Sequence, residues 1–159
     1  MADTAMAESA PLLTPEMVNQ VRPDSFRVHS WASSLEYRDL GLKELTGGRF
    51  SATVYRARPG HHEGLPWHKH DLSFQFSYVV KGWAIFEFEG VGQIRLEPGT
   101  AIYQLPMNRH REIGQSDDFE ILEITMPAEF ETIMCTSSEP FGQVGTGIKR
   151  ESGPSELKL

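Results

Sequence analysis

From Leu35 onward, short segments rich in apolar, β-branched and aromatic residues alternate with turn residues every eight to twelve positions. LEYRDLGLKELT (35–46) and RFSATVYRA (49–57) are separated by Gly47-Gly48, a hairpin signal. FQFSYVV (74–80) has strand composition, and Lys81-Gly82 turns the chain into WAIFEFEG (83–90). Gly90 and Gly92 lead into QIRLE (93–97), Pro98-Gly99 turns into TAIYQL (100–105), and HREIG (110–114) and FEILEITM (119–126) follow. No amphipathic stretch of three helical turns interrupts them, and the pattern predicts an all-β sandwich or barrel. Short helical elements are expected only near the ends. One is Pro15-Glu16-Met17-Val18 with Thr14 as N-cap; the other is PAEFETI (127–133).

Outside this run the pattern fades. Residues 1–22 are rich in Ala, Ser, Thr and Pro and read as a flexible arm, with packing on a neighbouring subunit as the alternative. Residues 23–135 read as one barrel domain. Residues 136–159, rich in Gly, Ser and Glu, read as a flexible tail. A chain of 159 residues fits a single domain with a core that needs no disulfide, and its lone cysteine, Cys135, permits no internal one. The net charge of −7 and the lack of a Lys/Arg-rich run argue against a nucleic-acid groove. No apolar run reaches membrane-spanning length, and MADTAMAESAPLL lacks the pattern of a secretory signal. A cytoplasmic location is expected by default.

Three histidines carry the candidate chemistry. His68 and His70 are one residue apart, so in a strand both imidazoles share a face. His110, on another strand of a closed barrel, can complete one face of a metal's coordination shell. In FEILEITM, Phe119, Ile121, Glu123 and Thr125 share one face and Leu122, Ile124 and Met126 the other. Parity alone leaves open which face looks inward. Of Tyr103 and Gln104, one must face the interior, and Gln104 is taken as the pocket residue; Glu123 is a second possible one. His61 and His62 follow Pro59-Gly60 in an expected surface loop, and His29 has no partner pattern. Trp67, Phe74, Phe76, Tyr78, Trp83, Phe86 and Phe88 are expected mostly in the core or at a dimer surface.

These residues resemble the cupin superfamily. Its first motif has the form G-x5-H-x-H-x3–4-E-x6-G. Here His68-x-His70 is followed after four residues by Gln75 and after six more by Gly82. In the second motif, G-x5-P-x-G-x2-H-x3-N, Gly99 is followed after ten residues by His110. The resemblance covers about residues 45–130. It departs at Gln75 (for Glu), at Pro106 (displaced by one), at Met107 (for Gly) and at Gly114 (for Asn). The glycine before the first motif is shifted, with Gly60 and Gly64 the nearest.

The resemblance implies a double-stranded β-helix, the cupin jelly-roll barrel, and one divalent transition metal held by His68, His70, Gln75 and His110. Imidazole ligands suit Fe, Zn, Ni, Mn or Cu, and iron is the favoured expectation. With Gln in place of Glu, no protein charge offsets the ion, so open positions and an anionic or chelating small molecule are expected. Gln75 acts either as a ligand or on a metal-bound water. The resemblance points to a dioxygenase-type oxidoreductase, with a non-catalytic small-molecule binding or sensor module as the alternative. From the family's habits, a homodimer is expected.

Overall fold

The computed structural model describes residues 13–136. The expected tail beyond Thr136 and the first twelve residues of the expected arm lie outside the described residues. The chain first makes a 3-10 turn, Pro15–Met17, with extended Thr14 ahead of it but no side-chain cap bond. Eleven strands follow: β1 (Arg27–Val28), β2 (Leu35–Asp39), β3 (Ser51–Ala57), β4 (His68–Asp71), β5 (Phe74–Lys81), β6 (Ala84–Phe88), β7 (Gly92–Leu96), β8 (Ala101–Gln104), β9 (His110–Gln115), β10 (Glu120–Met126) and β11 (Glu131–Met134). They form two antiparallel sheets, ordered β1-β2-β3-β10-β5-β8 and β11-β4-β9-β6-β7. Among the described residues, no helix is long and apolar enough to cross a membrane.

Two expectations on secondary structure need correction. The segment 35–46 is not one strand. It leaves the sheet after Asp39, and Leu42–Leu45 form a single helical turn, α1, entered through Gly41 at φ +78°. PAEFETI is not a helix either. Glu131 to Met134 pair with Asp71 to His68 on β4. The same residues satisfy an alternating pattern, with Phe130 and Thr132 on one side and Ile133 on the other. An open sheet edge at β4 offers more backbone bonds than one isolated helical turn, so tertiary pairing overrides local preference.

Registers are reinforced by cross-strand ion pairs. Arg56 meets Glu36 at 2.7 Å across β2–β3, and Arg111 meets Glu87 at 2.6 Å across β6–β9. Each is partly exposed and contributes at most about 1 kcal/mol, enough to penalise a slipped register.

The inner face of the larger sheet is divided along its length. At one end Ala57, Val79, Ile121 and Phe119 join Ala84 and Leu96 of the opposite sheet in the apolar core, with Tyr55, Phe86 and Ile102 packed against it. At the other end Thr53, Gln75, Ser77, Gln104, Glu123 and Thr125 point inward instead. Burying a large apolar side chain stabilises by about 1.5–3 kcal/mol, whereas unpaired polar groups oppose close packing. One half of the barrel therefore closes as core, and the other remains open as a cavity of about 480 Å³. The parity of β10 is thereby settled: Phe119, Ile121, Glu123 and Thr125 face inward.

Candidate metal centre

β4 carries His68 and His70 on its inward face, and β9 places His110 directly opposite His68 in register. One potential ligand nitrogen from each ring lies within 4.8 Å of the others. The ring centroids are 4.2 Å apart for His68 and His110, 5.0 Å for His68 and His70, and 5.1 Å for His70 and His110. All three residues are buried.

The far side of each ring is held. His68 Nδ1 donates to the Pro66 carbonyl at 2.7 Å, and His110 Nδ1 lies 3.1 Å from the Asn108 carbonyl oxygen. His70 Nδ1 lies 3.1 Å from Thr132 Oγ1 on β11. A carbonyl only accepts, so the proton sits on Nδ1 in His68, which leaves its Nε2 lone pair for a ligand. Each ring also has its own aromatic flank: Trp31 at 5.0 Å from His68, Phe130 at 5.1 Å from His70 and Phe88 at 6.1 Å from His110. Burial lowers the pKa of all three, His70 to about 3 and His110 well below its ordinary value. Proximity of the rings adds to the effect, with His68 acting on His70 and both acting on His110. The imidazoles are therefore neutral at neutral pH, the form that binds a metal.

The turn before His110 shows how the departure at Met107 is tolerated. Met107 stands at the glycine position of the second motif, and it adopts φ +60°. Its N–H donates to the His70 carbonyl at 3.0 Å, which ties the turn to β4. The left-handed backbone is kept without glycine, at a cost of about 1–2 kcal/mol. Gly82, which ends the first motif, has φ +64°, and a Cβ there would meet Ser116 Oγ at 2.4 Å. At the shifted glycine, Gly64 passes so close to β9 that a Cβ would lie 2.3 Å from the Glu112 carbonyl oxygen.

Gln75 is buried in the wall of the same cavity. Its Nε2 donates to Glu123 Oε2 at 2.7 Å, and its Oε1 is buried with no partner among the described residues. A carboxylate accepts and cannot donate, so it orients the amide with nitrogen toward Glu123. Gln104 is also buried, its amide nitrogen 2.9 Å from His110 Nδ1 and 3.2 Å from His110 Nε2, while Tyr103 faces outward. Three neutral imidazoles and an orphaned amide oxygen fit one divalent transition metal. His68, His70 and His110 would hold it.

Several cavity residues carry no sequence signal. His29 lines the cavity, its ring 5.1 Å from Trp31. It reaches there because the two-residue strand β1 pairs with β2, which no local pattern announces. Glu112 shares the inward face of β9 with His110, and burial raises its carboxyl to about 8. Its parity with His110 was readable, but its place in the cavity was not. Glu123, by contrast, is the second possible pocket residue named from the sequence; it lies in the cavity wall, and burial raises it to about 7 against the lowering effect of Gln75. Phe86 and Phe88, expected in the core or at a dimer surface, line the cavity. His61 and His62 stay outside; their neighbours are Glu63 at 3.8 Å and Asp117 at 3.5 Å.

Comparison with solved structures decides the fold. The chain superposes on the polyketide cyclase RemF from Streptomyces resistomycificus with a TM-score of 0.63 and 22% identity, over 77% of this chain and 89% of that one. The chain has the cupin fold. KdgF from a Halomonas species superposes on this cupin with a TM-score of 0.54 and 19% identity, over 68% of this chain and 94% of that one. The DMSP lyase DddQ from Ruegeria pomeroyi gives 0.53 and 18%, over 72% and 59%. No family model and no curated protein matches the sequence. At these identities the likeness extends to the barrel and stops short of the reaction.

Proposed function

We propose that this cupin is a metal-dependent enzyme acting on a small, oxygen-chelating organic molecule that is anionic or enolisable. The observation that carries this reading is the meeting of three buried imidazoles in the wall of a 480 Å³ cavity that also holds a carboxyl group, Glu123. When bound, the metal supplies a Lewis acid that polarises a carbonyl or enolate oxygen. His68, His70 and His110 hold it, and their Nδ1 contacts keep the rings in place. Glu123 takes or returns a proton at its carboxyl oxygen, and the Gln75 amide nitrogen holds that carboxyl in place. Phe86, Phe88 and Phe130 line the cavity and limit water around the bound molecule. The likenesses to a polyketide cyclase and a lyase support chemistry of this non-redox kind.

A second reading is oxygen-dependent cleavage by a dioxygenase-type activity. Three neutral ligands, which leave coordination positions open, favour it. One experiment separates the two. Metal-loaded protein is incubated under argon with enolisable diketones in deuterated water, and oxygen uptake is recorded in parallel with iron-loaded protein. Deuterium exchange under argon, lost in His68→Ala and His110→Ala, supports the proposal. Oxygen uptake without exchange supports the dioxygenase. Tight binding with neither assigns a binding or sensor role.

A further inference from the structure

One step along β9 from His110, toward the apolar core, stands a second carboxyl group that the proposed reaction does not use. Glu112 is 1% exposed, and neither carboxyl oxygen has a hydrogen-bond partner among the described residues. Its register partner on β6 is Phe86, while His110 faces Phe88. Leu35, Phe86, Ile102 and Phe119 line this part of the cavity with it. A buried carboxyl without a partner is costly, by about 1–3 kcal/mol even when neutral. Core packing gives no reason for a carboxyl in an apolar chamber, where a leucine of similar volume would fit.

We propose that this inner chamber is a second recognition point. Glu112 binds a hydroxyl group carried on the far side of a flat, conjugated ligand whose chelating oxygens sit at the three histidines. The inference rests on the reading of the cavity as a chelating-ligand site. His110 and Glu112 stand two strand positions apart, about 7 Å, the span of one to two fused rings. The aromatic walls of Phe86, Phe88, Phe119 and Phe130 suit a flat molecule. A hydroxyl both donates and accepts, so it pairs with the carboxyl in either protonation state. A distal carboxylate would meet like charge, and a distal ammonium would bury a further charge among apolar groups.

The test uses zinc-loaded full-length protein titrated with 2-hydroxy-1,4-naphthoquinone and with the set of isomeric derivatives that carry one more hydroxyl on the distal ring. At least one isomer is expected to bind tenfold or more tightly than the parent. Glu112→Leu should reduce that preference to less than twofold, and Glu112→Gln, whose amide donates and accepts, should retain part of it. Thermal unfolding of both variants establishes that they fold. Absence of any preferred isomer overturns the inference, as does a preference that survives in Glu112→Leu; in both cases metal-dependent binding of the parent leaves the chelation reading standing. If no probe binds more tightly with zinc than without it, the chelation reading falls and takes the inference with it.

Discussion

The buried carboxyl of Glu112 gives the sharpest stability prediction. Its folded-state pKa is about 8 against an ordinary value of 4.5 because burial disfavours the charged form. The folded protein thus keeps a proton that the unfolded chain releases above pH 4.5, so this group's contribution to stability falls as pH rises from there to about 8. Each pKa unit is worth about 1.36 kcal/mol. The penalty is about 1 kcal/mol at pH 5 and about 4 kcal/mol at pH 8. Glu112→Gln removes the titration and keeps the shape. Any fixed cost of burying the amide is the same at both pH values, and the histidine titrations cancel between variant and wild type. The variant should therefore gain about 3 kcal/mol on wild type between pH 5 and pH 8, measured by urea unfolding of metal-free protein. A stability difference that is flat across this range refutes the assignment of Glu112 as a buried, unpartnered acid.

Further consequences concern the turns and the ligand shell. Met107→Gly should stabilise by roughly 0.5–1 kcal/mol in thermal unfolding, the relief of left-handed strain less the entropy of an added glycine. A loss of stability would mean that the turn is not left-handed. Gly82→Ala should destabilise by about 2–4 kcal/mol, since both φ +64° and contacts near Ser116 and Phe119 oppose a Cβ. Gln75→Glu sets a second carboxyl against Glu123, 2.7 Å from the present amide nitrogen. Metal-free protein should then lose stability as pH rises through neutrality, while zinc affinity by calorimetry rises at least tenfold. Folded-state pKa values below 6.5 for His68, His70 and His110 mean that the unfolded chain binds more protons on acidification. The histidine contribution to stability is therefore lost as pH falls from about 6.5 toward 3, opposed above pH 4.5 by the raised carboxyls of Glu112 and Glu123, and the thermal shift on adding zinc should shrink over the same range.

Strand composition and regular turns were enough to announce an all-β chain, because β-branched and aromatic residues between glycines favour extended structure wherever they stand. The ligand histidines were legible for a similar reason. His-x-His shares a face in any strand, and the spacing to His110 matched a motif. Local patterns misled where an alternative depended on a distant partner. PAEFETI became β11 because β4 offered it an edge, and the 35–46 stretch broke at Gly41 into a turn. His29 and Glu112 reached the cavity through pairings of β1 and β9 that leave no local trace.

The order of residues along this chain determined which side chains alternate together, hence that His68 pairs with His70 and that Glu123 travels with Ile121 and Thr125. Only the tertiary structure decided which of those faces looks inward, since parity is symmetric and burial depends on what packs opposite. It also decided that Gln75 donates to Glu123 while its oxygen is buried and, among the described residues, unpaired, and that Glu112 lies among phenylalanines with no hydrogen-bond partner among those residues. Hydrogen-bond satisfaction and desolvation are properties of an enclosed space, and that space exists only once the two sheets have closed on each other.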